Sequence, residues 1–282
     1  MKFSKVLTTQ EYYSTGATTV FASQADQRFS YCLYVPKRLE TDPEKFPLVV
    51  IQHGTGRTSG QYRDAMADFC ESQRVIVLAP LFPAGIGDPE DLHNYKFIEY
   101  QGIRFDLILL AIIDEAAEKF PIDADKFLLH GFSGGGQFTH RFLYLHPDRL
   151  LAASVGAPGR ITMIDNAQPW WLGTRDLAEV FGVSLDLEAI ASVHIQLIVG
   201  ELDVDMWEIN NRNDSNWMDG LEKQGDTRVA RIQTLHRVLA SHGIDSQLDI
   251  IPGMAHDGMR ALPAVQHFFA NVLNEHTDHA TG

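Results

Sequence analysis

The sequence is poor in cysteine, and the cysteines it has are far apart. Its 282 residues include only Cys32 and Cys70, which do not form a CxxC pair. Both lie in apolar segments, and two thiols in a chain of this length favour buried, reduced side chains over a disulfide. The composition is otherwise that of an ordinary globular protein, with 45% hydrophobic and 21% charged residues.

Basic residues are also scarce relative to acidic ones. There are 23 Lys and Arg against 37 Asp and Glu, which gives a formal net charge of −14. Non-specific affinity for nucleic acid comes from Lys and Arg displacing counterions from phosphates, and no basic cluster offsets the acidic balance here. We therefore do not expect the protein to bind nucleic acid.

Long apolar runs are missing. The longest, residues 105–113, contains Asp106 and is far shorter than the ~20 residues needed to span a bilayer. The first 16 residues, MKFSKVLTTQEYYSTG, lack the apolar centre of a secretory signal. These features predict a cytoplasmic protein that does not engage membranes.

Short apolar runs alternate with amphipathic stretches along most of the chain. The spacing predicts an opening hairpin over 18–36 and buried strands over 47–52, 75–80, 127–130, 150–157, 193–200 and 246–253. It predicts helices over 61–72, 103–120, 137–146, 228–241 and 259–273. Buried strands alternating with helices indicate an α/β fold, with a mainly parallel sheet covered by helices on both faces.

A serine follows one of these strands in a glycine-rich turn. Gly131-Phe132-Ser133-Gly134-Gly135 matches G-x-S-x-G between a strand and a helix, which is the context that a nucleophile elbow requires. The turn is so sharp that the residues two before and two after the serine must lack side chains. A phosphate-binding loop is the alternative, but no lysine follows to complete it. Ser133 is the candidate nucleophile.

A serine hydroxyl needs a base to take its proton, and position selects His256 among the twelve histidines. His256 lies between the last predicted strand and the last helix, in a loop of small residues. The alternatives are less suitable because His140 and His146 fall on a predicted helix and His194 in a strand. His256 is the candidate general base.

The base needs a carboxylate that fixes its tautomer, and three candidates follow the strand 193–200. With Asp203 as the acid, the three residues follow the chain order serine, acid, histidine that is typical of enzymes with a nucleophile elbow. Asp205 and Glu201 are close competitors, since a loop one or two residues different would turn another carboxylate inward. Asp203 is preferred.

An anion-stabilising pair of backbone N–H groups completes the constellation. Gly134, directly after the nucleophile, supplies one donor. The second is expected from His53-Gly54-Thr55-Gly56 (residues 53–56), at Thr55 or alternatively Gly56, because the glycines let the backbone approach a substrate closely. His53 itself is expected to be structural.

Together these motifs resemble the α/β-hydrolase superfamily from about residue 29 to residue 273. The resemblance implies an eight-stranded, mostly parallel sheet whose first strands are antiparallel, and a Ser–His–acid triad. Within the superfamily the chain looks closest to compact esterases, dienelactone hydrolases and polyhydroxybutyrate depolymerases. Dienelactone hydrolases carry a cysteine where this chain has Ser133, and haloalkane dehalogenases and epoxide hydrolases carry an aspartate. We expect one domain over 1–282 with little or no cap, and small lids or active-site loops over 158–192 and 204–227.

The expected reaction is hydrolysis of a small or medium carboxylic ester, without a metal or organic cofactor. A peptidase, thioesterase, acyltransferase or C–C bond hydrolase could use the same triad, and a binding module without turnover is a further alternative. Trp170, Trp171 and Trp207 follow late strands and are candidates for lining a substrate pocket, or else for packing a small lid or a homodimer contact. A small-molecule ester is the expected partner.

Overall fold

The computed structural model describes residues 13–37 and 45–281, with side chains up to residue 276. A nine-stranded sheet carries most of the architecture. Its strands are β1 (Gly16–Ala17), β2 (Phe21–Ala22), β3 (Ser30–Val35), β4 (Phe46–Gln52), β5 (Ile76–Leu81), β8 (Ile122–Phe132), β9 (Leu150–Gly156), β10 (His194–Gly200) and β11 (Gln247–Ile251). A separate hairpin pairs β6 (Glu99–Tyr100) with β7 (Ile103–Arg104).

The strand order is β1-β3-β5-β4-β8-β9-β10-β11, with β2 also paired to β3. In this strand order, every neighbouring pair from β5 through β4, β8, β9 and β10 to β11 is parallel. The strands β1, β2 and β5 each lie antiparallel to β3. This confirms the predicted fold class and the antiparallel start of the sheet. The opening hairpin is shorter than predicted, since β2 meets β3 over two residue pairs only.

Eight α-helices connect or flank these strands in the described part of the chain. They are α1 (Ser59–Ala65), α2 (Ala67–Gln73), α3 (Phe105–Lys119), α4 (Gly134–Leu145), α5 (Leu177–Phe181), α6 (Leu187–Ala191), α7 (Arg228–Ser241) and α8 (Gly258–Thr281). Short 3-10 turns cover Asn94–Phe97, Pro147–Arg149 and Leu221–Gln224.

Two helices differ from the sequence-based expectation in ways that matter for packing. The single helix predicted over 61–72 is two helices that break at Met66, whose side chain is fully buried. Helix α4 begins at Gly134 rather than at 137. Its first three residues are glycines, whose low helix propensity predicts a later start, but they adopt helical backbone here. The early start places the first turn of α4 directly against Ser133.

The core is built on the central strands. Leu48–Ile51 of β4 and Ile76–Leu78 of β5 have no exposed surface, and neither does Phe127–Leu129 of β8. Parallel strands covered on both faces read as continuous apolar runs, which is why these segments were recognisable in the sequence. Each such side chain contributes about 1.5–3 kcal/mol when fully buried, so the sheet is a rigid base for the loops at its carboxyl edge.

None of the helices in the described part is both long and apolar enough to cross a membrane. Cys32 and Cys70 are buried and unbridged, as predicted. The expectation about a secretory signal concerns the first 16 residues, of which 1–12 lie outside the described residues.

A buried ion cluster ties α3 to the end of α4. The Asp106 side chain is fully buried and lies 2.6 Å from Arg104 Nη2 and 2.7 Å from His146 Nε2. Burial alone raises the pKa of Asp106, but the hydrogen bonds from His146 and Arg104 outweigh it and lower the pKa below the usual 3.8.

We predict that Asp106→Ala lowers the free energy of unfolding at pH 7 by about 3 kcal/mol, because removing one partner leaves Arg104 without its counter-ion. The folded-state pKa is depressed, so the stabilisation is complete above the unfolded pKa and disappears as the pH falls through the folded one. The difference from wild type in urea unfolding should therefore shrink below about pH 4. Glu118→Ala, exposed on the same helix, is the control and should change stability by less than ~0.5 kcal/mol. Equal effects of the two variants would contradict the prediction.

Candidate active site

Ser133 joins the end of β8 to the start of α4 in a backbone conformation that few residues adopt. Its φ is 59° and its ψ is −116°. A Cβ added to Gly131 would lie 2.3 Å from Gly135 O, and one added to Gly135 would lie 2.4 Å from Gln52 O. Both distances are too short for any side chain, so the strand, the turn and the helix can approach only because these residues are glycines. The steric reason for the motif is therefore present in the structure.

The first turn of α4 presents an unused donor beside Ser133. The Ser133 N–H donates to Gly156 O over 2.8 Å, and Ser133 O accepts from Gln137 N–H over 3.0 Å. The Gly134 N–H is the first of the helix and has no hydrogen-bond partner among the residues that the structure describes. The positive end of the helix dipole thus lies where negative charge would develop on a substrate.

A histidine and a carboxylate meet at the same edge of the sheet. His256 Nδ1 lies 2.6 Å from Asp203 Oδ2, and the Asp203 carboxylate is buried. The competing carboxylates face elsewhere, because Asp205 is exposed and Glu201 accepts the Gly253 N–H. Among the three candidates that the sequence offered, the contact to His256 belongs to Asp203.

Two loops bring this pair together through backbone contacts. The Leu202 N–H donates to Met254 O and the Glu201 N–H to Ile251 O, at 2.9 and 3.0 Å. A Cβ on Gly200 would lie 2.2 Å from Met254 O, so the loops can touch only because the last residue of β10 is glycine. The distance between Asp203 and His256 is therefore fixed by the sheet rather than by the side chains alone.

Ser133 and His256 share an open cleft of about 320 Å³. Its lining residues are Gly54, Thr55, Gly56, Thr58, Tyr62, Phe132, Ser133, Glu208, His256 and Gly258. The Phe132 ring packs on the His256 imidazole with 5.0 Å between centroids. No hydrogen bond joins Ser133 to His256 within residues 13–37 and 45–281, a contact that in such sites often tightens only with substrate present. The cleft contains four of the residues that the sequence singled out: Ser133, His256, Thr55 and Gly56.

His53 holds the loop that carries Thr55. Its Nδ1 donates to Gly54 O over 2.8 Å, and its Nε2 accepts the Phe82 N–H over 2.9 Å. Burial lowers the pKa of His53 to about 3, so the ring is neutral. This placement agrees with the structural role expected for His53.

Arg57 closes the same loop. Its N–H donates to Gly54 O over 3.1 Å, and its guanidinium donates to Thr55 O over 2.7 Å and to Asn94 Oδ1 over 3.3 Å. The turn leaves the Thr55 and Gly56 N–H groups without a partner in the described part of the chain. Thr55 and Gly56, which carry these two donors, both line the open cleft.

The tryptophans lie away from the cleft. Trp170 donates to Phe97 O over 3.0 Å and packs on Phe181, while Trp171 stacks on Phe97 with 5.2 Å between centroids. Trp207 is 79% exposed. None of the three therefore lines the cleft around Ser133. Trp170 and Trp171 pack instead in an apolar cluster. The alternative interpretation, packing of a small lid, stays a prediction for Trp170 and Trp171.

Sequence reasoning missed the charged groups behind the nucleophile. A small pocket of about 20 Å³ adjoins Ser133. It is lined by Thr55, His93, Lys96, Ser133, Gln137, Gly159, Arg160, Glu208, Ile209 and Arg228. Arg228 Nη1 also lies 3.5 Å from Asp203 Oδ1. The lining residues come from six separate segments without a common motif, so no signal in the sequence could have assembled them.

No family model matches the chain, and a search of curated proteins finds no significant match. Solved structures do resemble it. A poly(aspartic acid) hydrolase from Sphingomonas sp. KT-1 shares 22% identity at a TM-score of 0.71, over 90% of this chain and 98% of that one. A poly(3-hydroxybutyrate) depolymerase from Bordetella parapertussis shares 23% identity at a TM-score of 0.66, over 86% and 83%.

An S-formylglutathione hydrolase from Staphylococcus aureus is 14% identical at a TM-score of 0.59, over 90% of this chain and 97% of that one. At these identities the likeness concerns the fold. With the sheet order, the elbow after β8 and these likenesses in agreement, the chain has the α/β-hydrolase fold.

Proposed function

We propose that the protein is a serine hydrolase that cleaves a small or medium carboxylic ester through an acyl-enzyme on Ser133. One observation carries the proposal: the strained Ser133 elbow lies in the same cleft as His256, which is hydrogen-bonded to the buried Asp203 carboxylate. A binding module without turnover would not need a base held by a buried carboxylate in the same cleft as a serine hydroxyl.

The contacts support the following order of proton transfers. His256 Nδ1 is hydrogen-bonded to Asp203, so Nε2 is the ring nitrogen that can accept the Ser133 proton. Ser133 Oγ then bonds to the acyl carbon, and the alcohol leaves with the proton that His256 returns. A water attacks the acyl-enzyme, giving its proton to His256, and the acid is released as Ser133 regains its hydrogen. Asp203 stabilises the imidazolium in both steps.

The developing oxyanion would lie between Gly134 and the loop of Thr55 and Gly56. Thr55 Oγ1 is 3.1 Å from the point that a Cβ on Gly134 would occupy, so the two segments face each other closely. We assign the donors to the Gly134 and Thr55 N–H groups, with Gly56 as the alternative to Thr55. Each donor of this kind is typically worth about 10²–10³ in rate.

The names of the similar structures support hydrolysis as the reaction class. They describe hydrolases or depolymerases of poly(aspartic acid), poly(3-hydroxybutyrate) and S-formylglutathione. We further propose a cytoplasmic location, which the two unbridged thiols support because disulfides are rare in that compartment. A homodimer stays a prediction, and the exposed Trp207 is the side chain through which we would expect it.

We predict that Ser133→Ala abolishes hydrolysis of a p-nitrophenyl ester and labelling by a fluorophosphonate probe, because both need the serine oxygen. The variant should keep the circular dichroism spectrum of the wild type. Ser192→Ala, an exposed serine elsewhere, serves as the matched control and should keep full activity and labelling. Turnover by Ser133→Ala near the wild-type rate would refute the nucleophile.

The acid is tested by a pair of substitutions two residues apart. Asp203→Asn should lower kcat by about 10⁴-fold, because an amide holds the imidazole in the wrong tautomer. Asp205→Asn should leave kcat within about twofold, since that carboxylate is exposed. Steady-state kinetics on one p-nitrophenyl ester measure both. The reverse pattern would transfer the role to Asp205.

A further inference from the structure

A lysine is buried next to the nucleophile without a carboxylate partner. Lys96 is only 2% exposed and forms no ion pair with any residue that the structure describes. Its ammonium bonds to His93 Nδ1 over 2.8 Å, which occupies one of its three protons. Burial lowers the pKa of His93 to about 4 and that of Lys96 to about 7, and the attraction of the Glu208 carboxylate in the same pocket offsets only part of the effect on the lysine.

The ammonium lies close to where the chemistry would occur. Lys96 Cε is 2.8 Å from the point that a Cβ on Gly134 would occupy, and Lys96 and Ser133 line the same small pocket. We call this the lysine pocket; its ten lining residues are given above. Its volume of about 20 Å³ holds one small polar group. The pocket shares Thr55, Ser133 and Glu208 with the open cleft, so a substrate in the cleft can extend its tip into it.

The other cations of the lysine pocket are already paired. Arg160 Nη2 lies 2.5 Å from Asp214, and Arg228 Nη2 lies 2.5 Å from Glu208. The uncompensated positive charge is therefore that of Lys96. Two further buried polar atoms in the walls, the acceptor Gln137 Oε1 and the donor Arg228 Nε, have no hydrogen-bond partner among the residues that the structure describes, and only the donor could bind a carboxylate. Such groups are rare in folded proteins unless a ligand or a water meets them.

The lysine pocket is also pre-formed. Buried Arg141 donates to Lys96 O and stacks on the Phe97 ring, with 4.9 Å from Cζ to the centroid. Tyr95 OH donates to His53 O over 3.0 Å. The turn that carries Lys96 is thereby fixed to α4 on one side and to the loop of Thr55 on the other. A binding group held in this way loses little entropy when a ligand arrives.

We propose that the lysine pocket binds a carboxylate of the substrate, so that the preferred esters carry a negative charge in the acyl group. The inference rests on the proposed function and adds a substrate class to it. A carboxylate satisfies the unused protons of Lys96, whereas an apolar tip would leave the ammonium unpaired in a buried site. The pocket size selects a terminal carboxylate over a ring or a long chain.

The test compares two esters of the same shape, monoethyl succinate and ethyl succinamate, which differ only in a carboxylate and an amide. For the wild type we expect kcat/KM to favour the acid by about tenfold or more, the worth of a charge-assisted hydrogen bond. Lys96→Met should reduce this preference to about one, because the preference is the ratio of two kcat/KM values and does not depend on how the substitution affects hydrolysis in general. Product release is followed by chromatography.

Two controls keep the result specific. Lys126→Met removes the same charge from an exposed position on β8, about 20 Å from Ser133 at the rise of a strand, and should keep the preference. Glu208→Gln removes the carboxylate from the rim and should increase the preference for the acid, which tests the proposal even if Lys96→Met fails to fold. Succinate binding to Ser133→Ala by calorimetry gives a readout without turnover, and adding Lys96→Met should weaken it at least tenfold.

The outcomes separate the two levels of inference. If the wild type is labelled by the fluorophosphonate probe and hydrolyses both esters without preferring the acid, the proposal of a carboxylate pocket is refuted. The proposal of a serine hydrolase is then unaffected. An equal loss on both esters in Lys96→Met would also overturn it, because the lysine would then act on the oxyanion. Failure of the wild type to label or hydrolyse would overturn the proposed function, and the calorimetry would still decide whether the pocket binds a carboxylate.

Discussion

The site depends on the absence of side chains where the central strands end. A Cβ on Gly135 would meet Gln52 O at 2.4 Å, and one on Gly136 would meet Gly156 O at 2.2 Å. The start of α4 can therefore lie against the ends of β4 and β9 only with hydrogen at these positions. That approach places Ser133 at the rim of the open cleft, directly before the first turn of the helix. Strain at the serine persists because the packing around it is over-determined.

The same constraint governs the partner loops. Gly200 ends β10 against Met254, and the resulting backbone contacts hold Asp203 and His256 at 2.6 Å. The buried carboxylate is costly to hold in the interior unless it is paired, and it accepts from His256 and lies 3.5 Å from Arg228. The geometry of the pair is thus a property of the sheet edge, and the loops need only short connections to deliver it.

The elements that could be predicted from the sequence are those whose cause is local. The G-x-S-x-G turn has a steric explanation within five residues, and the buried strands have continuous apolar runs. The break at Met66 could not be predicted, because the helical period continues through it. The pocket around Lys96 was also invisible, since Arg160 and Arg228 reach it from segments far apart in the chain. The role of Trp207 stays a prediction, because sequence position places a side chain at an edge but does not say which way it faces.

The net charge of the chain opposes the binding of an anion, and the lysine pocket can favour it only at short range. A net charge of −14 opposes the approach of an anionic substrate, but salt screens exposed charges beyond about 8 Å at physiological ionic strength. Buried charges are screened much less, so the Lys96 ammonium, which forms no ion pair within the described part of the chain, acts strongly on a group that touches it and weakly on anything in solvent. Discrimination by charge therefore has to occur inside the site on an acidic protein. The pairing of Arg160 and Arg228 with carboxylates leaves Lys96 as the group that would perform it.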